Sequence, residues 1–328
     1  MNKYTYYGPF KTYIQDFIEL KQAVGYKYFT EAGHLKRFDT FTIEKYNSAN
    51  ALTKEIVMEW CSKNSYEKQE NLLGRASIIR QFAIYIDNLG INAYVIPKNH
   101  FKSGERYIPY IYSDNELKKF FQETDKCHYS CQCPYRHLIM PILFRLVYSC
   151  GLRVSEARFL KVKDVDLNSG ILTINHSKKD NSRLVPMADE LAKKCRLYSK
   201  QIHSHSDLEN YYFQMVDSKP ITIGNIYKNF RKFLWRAGIS HGGRGFGPRV
   251  HDFRHTFAVH CLKKWSIEGK DLMTYLPILC VYLGHDSFEE TAYYLRMTAD
   301  VFPEITLKLD TLYSDLIPVI EGDVYEAY

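Results

Sequence analysis

Six side chains in the second half of this 328-residue chain are of types that phosphate chemistry uses: Arg153, Lys178, His251, Arg254, His285 and Tyr294. They sit in short frames: Gly151-Leu152-Arg153-Val154-Ser155-Glu156-Ala157, His251-Asp252-Phe253-Arg254-His255-Thr256, and Leu283-Gly284-His285 with Tyr294 nine residues further on. Two arginines and two histidines around one phosphate suit a pentacoordinate phosphorane. Negative charge grows on its oxygens, and guanidinium forks hold such oxygens in bidentate fashion. A carbonyl substrate does not require so much positive charge. Tyr294 offers a phenolic nucleophile. A phenol of reference pKa near 10 is ionised about once in a thousand at neutral pH, a deficit of roughly 4 kcal/mol that a neighbouring histidine or arginine can offset. Its product, a phosphotyrosyl ester, keeps the energy of the broken phosphodiester and is reversed by a returning hydroxyl without ATP.

The elements that must position these residues are legible in part. From Pro134 to Cys150 an apolar helix runs into Gly151, a helix terminator, so Arg153 is expected at a turn that opens the next helix. Ile171-Leu172-Thr173-Ile174 and Arg183-Leu184-Val185-Pro186 flank the polar stretch Ser177-Lys178-Lys179-Asp180-Asn181-Ser182, which reads as a β-hairpin with the lysines near its turn. After it the chain is expected to be helical to about Leu312, interrupted at residues 242–248 just before the His251 frame. His251, Arg254 and His255 share one helical face by their spacing.

Upstream, the first hundred residues read as helices with caps at Thr30 and Thr53 and a long amphipathic stretch from about Gln69 to Gly90. Pro97 to Pro109, carrying Lys98, Lys102 and Arg106 with little apolar periodicity, suits a linker. Ser113-Asp114-Asn115-Glu116 has the form of a capping box. The expected organisation is a helical domain at residues 1–96, a linker at 97–112 and a second domain at 113–328.

Composition bounds the reading without deciding it. The net charge of +7 is consistent with an anionic partner but is common elsewhere. No apolar run approaches the about 18 residues that span a bilayer. The start, Met1-Asn2-Lys3-Tyr4-Thr5, lacks a signal peptide's apolar segment, so a cytoplasmic protein that does not engage the membrane is expected. Eight dispersed cysteines do not make a disulfide framework. Cys127, His128, Cys131 and Cys133 have metal-like composition, but Cys131-x-Cys133 is tighter than a zinc knuckle, and an exposed loop of reduced thiols is preferred. His251 and His255 would suit zinc only with a glutamate after the first histidine, where the chain has Asp252. Several of the 27 tyrosines neighbour basic residues, as Tyr107, Tyr110 and Tyr112 follow Arg106; they could touch sugars and phosphates, but such residues are more often core-edge.

The frames resemble the tyrosine recombinase family, the phage integrases and their relatives, along most of the chain up to Tyr294. Arg153 matches the family's first arginine, Lys178 its hairpin lysine, His251 and Arg254 its His-x-x-Arg box, His285 its Gly-His box and Tyr294 its nucleophile. The resemblance implies a mainly α fold with a small β-sheet, made of a helical core-binding domain and a catalytic domain closed as a clamp around double-stranded DNA. It implies a 3′-phosphotyrosyl intermediate, no metal and no cofactor. Arg153 and Arg254 would hold the nonbridging oxygens, His251 and His285 would support proton transfer and charge, and Lys178 would protonate the leaving 5′ oxygen. The implied substrate carries inverted core sites, the implied assembly is a homotetramer on DNA with accessory recombination proteins as further partners, and the implied task is integration, excision or transposition of a mobile element.

Bland readings stand beside these. Arg153 could simply pair with Glu156 three residues on. Lys179 and Tyr293 neighbour the favoured residues but must point elsewhere. The rival functions are type IB topoisomerase-like relaxation of one duplex and a DNA-binding accessory protein without turnover.

Overall fold

Some helix starts in this chain are held by side chains that accept the orphan amides of a first turn, as at Thr53, Ser113, Thr222 and Asp271. A computed structural model of the protein describes residues 4–102, 107–175, 182–243, 247–285 and 287–301, with the side chains of residues 296 and 299–301 excepted. It divides into two units, residues 1–107 and 108–328, so the division falls inside the segment read as a linker. Among the described residues no helix is long and apolar enough to cross a membrane.

The first unit packs four helices: α1 (Lys11–Ala23), α2 (Phe29–Lys45), α3 (Lys54–Trp60) and α4 (Gln69–Asn88). Thr53 caps α3 by accepting the Ile56 N–H at 3.4 Å. Thr30, expected as a cap, instead lies inside α2. That helix starts at Phe29, two residues before the start a cap at Thr30 would give, behind Tyr28 in the left-handed region (φ 50°). Tyr28 earns that conformation through packing, since its ring meets Phe17 edge-on at 5.7 Å. Phe17, Phe38 and Phe82 form the centre of this core.

The second unit adds α5 (Asp114–Asp125), α6 (Arg136–Ser149), α7 (Val154–Phe159), β1 (Val165–Asp166), β2 (Ile171–Ile174), β3 (Arg183–Pro186), α8 (Asp189–Ile202), α9 (Ile223–Arg236), α10 (Asp252–Ile267), α11 (Leu272–Leu283) and α12 (Phe288–Val301). Ser113 and Glu116 form the expected capping box on α5. The strands make one antiparallel sheet in the order β1-β2-β3, with Leu172 opposite Val185. The fold is thus mainly helical with a small sheet. Two strands were legible as a hairpin. β1 is only two residues long and too short to show alternation. Lys178 and Lys179 lie outside the described residues, as does the expected helix beyond residue 301.

Phe253 of α10 fixes the site's main helix to the core. It packs among Tyr112, Phe120 and Phe230 at ring centroid distances of 4.8, 5.0 and 5.7 Å. Tyr112 is fully buried and Tyr110 packs on it, so both serve the core edge rather than an exposed surface. Phe120 also touches Phe144 and Phe233. Phe120→Ala is therefore expected to destabilise the second unit by about 3–5 kcal/mol. Faster amide exchange in α5, α6 and α9 would report it, and exchange unchanged from wild type would contradict this packing account.

Candidate active site

Two helix ends meet at the site, and both require glycine. Gly151 closes α6 at φ +57°, and a Cβ there would lie 2.7 Å from both Leu283 and Phe257 side chains. Gly284 caps α11 at φ +66°, with the Arg183 guanidinium 2.9 Å from where its Cβ would be. Such ends leave carbonyls without helical partners. The two arginines take them: Arg254 donates from Nη1 to the Gly151 carbonyl and from Nη2 to that of Leu283, both at 2.7 Å. Arg153 donates from Nη2 to the Gly284 carbonyl at 3.0 Å.

Arg153 is the N-cap residue of α7, the place expected for it. It also makes the helix-surface pair weighed against its functional reading, donating from Nη1 to Glu156 at 2.9 Å. Glu156 is 3% exposed and does more than neutralise Arg153. Its carboxylate takes both Nη groups of Arg183 at 2.9 and 2.8 Å, while Arg183 Nε donates to the Tyr282 carbonyl. Burial pushes the Glu156 carboxyl up, but the Arg183 hydrogen bonds and charge more than offset that, so it titrates below its ordinary value. One ionised carboxylate thus ties β3, α7 and the end of α11 together. In the sequence Arg183 figures only as part of the second strand of the expected hairpin. Its role is a tertiary pairing that spacing cannot reveal.

Arg254 is 1% exposed. Burial first, then the Arg153 charge, lower its pKa to about 10, which still leaves it a cation at neutral pH. Tyr294 on α12 is 2% exposed, and burial pushes its phenol up to about 12 against the opposing charge and hydrogen bond of Arg254. His285 lies over the phenol, ring on ring at 5.9 Å and 23°, and its Nδ1 shares a 2.6 Å hydrogen bond with Thr291. The hydroxyl itself shares a 2.9 Å hydrogen bond with Nδ1 of His255. His251, exposed at the N-cap of α10, sets its ring edge-on to His255 at 4.8 Å.

Arg153, Arg254, His285 and Tyr294 are therefore brought into one cluster, with His251 one ring away from the phenol's partner. His255 was noticed in sequence for its spacing and given no catalytic role. The available signal was its place four residues after His251 and directly after Arg254. Burial first, then neighbouring cationic groups, push both His255 and His285 down to about 3, so both rings are neutral near pH 7 and each keeps one nitrogen as a hydrogen-bond acceptor. The arrangement can hold an anion and polarise it, and it sets a hydrogen-bonding ring nitrogen at a phenol.

The cysteine loop gathers no comparable set. Cys131 is exposed, Cys133 accepts from the Asn225 amide at 3.5 Å, and among the described residues no group of three or more His, Cys, Asp or Glu side chains is placed to hold a metal.

Comparison with known proteins matches residues 112–300 to the profile of the phage integrase family. A candidate integrase/recombinase of Sinorhizobium fredii is 28% identical over 314 residues, which cover 94% of this chain and 99% of that protein. Among solved structures, the integrase of transposon Tn1549 in complex with a circular intermediate DNA aligns with a TM-score of 0.64 at 14% identity, covering 86% of this chain and 94% of that one. The XerH site-specific recombinase, bound to its palindromic difH substrate after cleavage, aligns with a TM-score of 0.62 at 21% identity, covering 84% and 78%. At these identities the structures speak for the fold.

Proposed function

Because the chain belongs to the phage integrase family of tyrosine recombinases, we propose that it breaks and rejoins duplex DNA through Tyr294. The carrying observation is the phenol of Tyr294 hydrogen-bonded to His255 beside the Arg254 charge, in a cluster that also contains Arg153 and His285. In the proposed reaction the phenolic oxygen attacks a backbone phosphorus. The bond from phosphorus to the 5′ oxygen breaks, leaving a 3′-phosphotyrosyl link and a free 5′ hydroxyl. Arg153 and Arg254 grip the nonbridging oxygens. Arg254 spends only two of its five N–H donors on carbonyls, so its remaining donors can face a phosphate. His251 and His285 support charge and proton transfer, and Lys178 gives the proton that the 5′ oxygen needs.

Duplex DNA as the partner is supported by a second surface. The exposed side of α9 carries Tyr227, Lys228, Arg231, Lys232, Trp235 and Arg236, while Ile226, Phe230, Phe233 and Leu234 face the core. Cations and flat rings on one helix face are suited to phosphates and bases. The neighbour bound to palindromic difH supports inverted core sites, and the names integrase and transposon support a mobile-element task. A homotetramer on DNA, with accessory recombination proteins, completes the reading.

The test has two stages. Tyr294→Phe protein selects a binding duplex from the DNA flanking its gene and from a random pool. Wild-type protein then meets a nicked version of that duplex in excess EDTA, since arginines and histidines supply the charge that metal ions give other DNA-cutting sites. A denaturation-resistant protein-DNA adduct, and exchange between two such sites on a plasmid, are expected. No adduct would reject the reading, adduct lost in EDTA and restored by magnesium would reject its chemistry, and plasmid relaxation without exchange would point to a topoisomerase.

A further inference from the structure

The histidine in hydrogen-bond contact with the nucleophile is not one of the two assigned above. His255 sits in the second turn of α10, between residues that fix the helix: Arg254, bound to two carbonyls, and fully buried Thr256, whose hydroxyl accepts the Tyr112 N–H at 3.1 Å. Its Nδ1 stands 2.9 Å from the Tyr294 hydroxyl. His285 contacts the same phenol differently, with its ring over the face and its Nδ1 turned to Thr291. His251 packs against the edge of the His255 ring and is open to solvent.

We propose that His255 is a catalytic residue of the recombinase reaction, the group that takes the proton of Tyr294 as its oxygen attacks phosphorus. The inference rests on the recombinase reading. As the phenolic oxygen bonds to phosphorus, its proton passes to Nδ1 of a neutral His255 whose own proton is on Nε2. The bond to the 5′ oxygen breaks, and that oxygen takes the proton whose donor is proposed to be Lys178. In rejoining, the 5′ hydroxyl attacks, the tyrosyl oxygen leaves and takes its proton back from His255, so the ring ends each cycle as it began.

The charged and titratable groups facing His255 are His251 and Arg254 on α10, His285 before α12, and Tyr294 on α12. Burial and these neighbours keep the ring neutral, which leaves an acceptor nitrogen but makes it a weak base before substrate enters. A phosphate entering among Arg153, Arg254 and His285 brings negative charge, which favours the imidazolium form at the moment it is needed. The base is thereby strengthened by the substrate.

The test compares adduct formation on the selected duplex for His255→Asn, which keeps a polar group near the place of Nδ1 but is no base, with and without trifluorotyrosine at position 294. Slowing by about 10²–10⁴-fold is expected with ordinary tyrosine, the range for losing a general base. With trifluorotyrosine, an acidic phenol that needs no base, the rate should return to within tenfold of wild type, and noncovalent binding should be unchanged throughout. Wild-type cleavage by His255→Asn would overturn the proposal, and so would a defect that trifluorotyrosine does not relieve, since that defect would be one of orientation. If wild-type protein forms no adduct, the recombinase reading falls on its own. The contact is then judged without DNA, by 19F NMR of a single fluorotyrosine at position 294. Its line position and titration midpoint should move in His255→Ala, and their identity with wild type would overturn the proposal.

Discussion

Tyr294→Phe is expected to abolish the covalent DNA adduct altogether while leaving noncovalent affinity for the selected duplex within about threefold of wild type, the difference between losing a nucleophile and losing a phosphate contact. Adjacent positions on a helix point about 100° apart, so Tyr293 and Tyr294 cannot serve the same pocket. The structure separates them. Tyr294 is 2% exposed with its hydroxyl on His255, whereas Tyr293 is half-buried against the apolar cluster of α10, α11 and α12. Tyr293→Phe should accordingly retain cleavage. Removing the Tyr294 hydroxyl also deprives buried groups of a hydrogen-bond partner, at a cost of about 1–3 kcal/mol in stability. Binding should therefore be measured well below the midpoint of unfolding. A denaturing gel of a nicked duplex decides the matter: adduct from Tyr294→Phe, or its loss from Tyr293→Phe alone, would move the nucleophile elsewhere.

How far the chain could be read before its structure was known depended on whether a signal was local. Capping at Thr53 and at Ser113 with Glu116, the turn at Gly151 and the two longer strands all depend on neighbours within a few residues, and all are present. Thr30 failed as a cap because a tertiary contact holds Tyr28 in a left-handed conformation that starts the helix earlier. Tyr110 and Tyr112 could be weighed but not placed, because partners such as Thr256, 144 residues from Tyr112, are invisible to spacing. The site shows the same division. Residue types and order pointed to Arg153, His251, Arg254, His285 and Tyr294. The binding of Glu156 to Arg183 and of His255 to Tyr294 required α7 to meet β3 and α10 to meet α12. Lys178 keeps the role assigned to it as a proposal, outside the described residues.

The arginines differ in what their loss should cost. Arg153 keeps a side chain 20% exposed and shares Glu156 with Arg183, so its removal leaves that carboxylate bidentately paired and the local fold supported. Arg254 is buried and braces two helix ends through the Gly151 and Leu283 carbonyls. A lysine there keeps a charge but concentrates it at one nitrogen, which cannot bridge both carbonyls and also face a phosphate oxygen and the Tyr294 phenol. Arg254→Lys is therefore expected to lower single-turnover cleavage by roughly 10²–10³-fold, the about 3–4 kcal/mol that one well-placed donor to a developing oxyanion supplies. Binding should change far less, because affinity for DNA is spread over many phosphate contacts. Arg254→Ala should cleave still less and also be less stable, since it leaves a void and two buried carbonyls without their donors. A rate for Arg254→Lys within threefold of wild type would mean that charge alone suffices at this position and that the fork between α6 and α11 is structural. A matched fall in affinity and rate would place Arg254 in ground-state binding rather than in the stabilisation of the phosphorane.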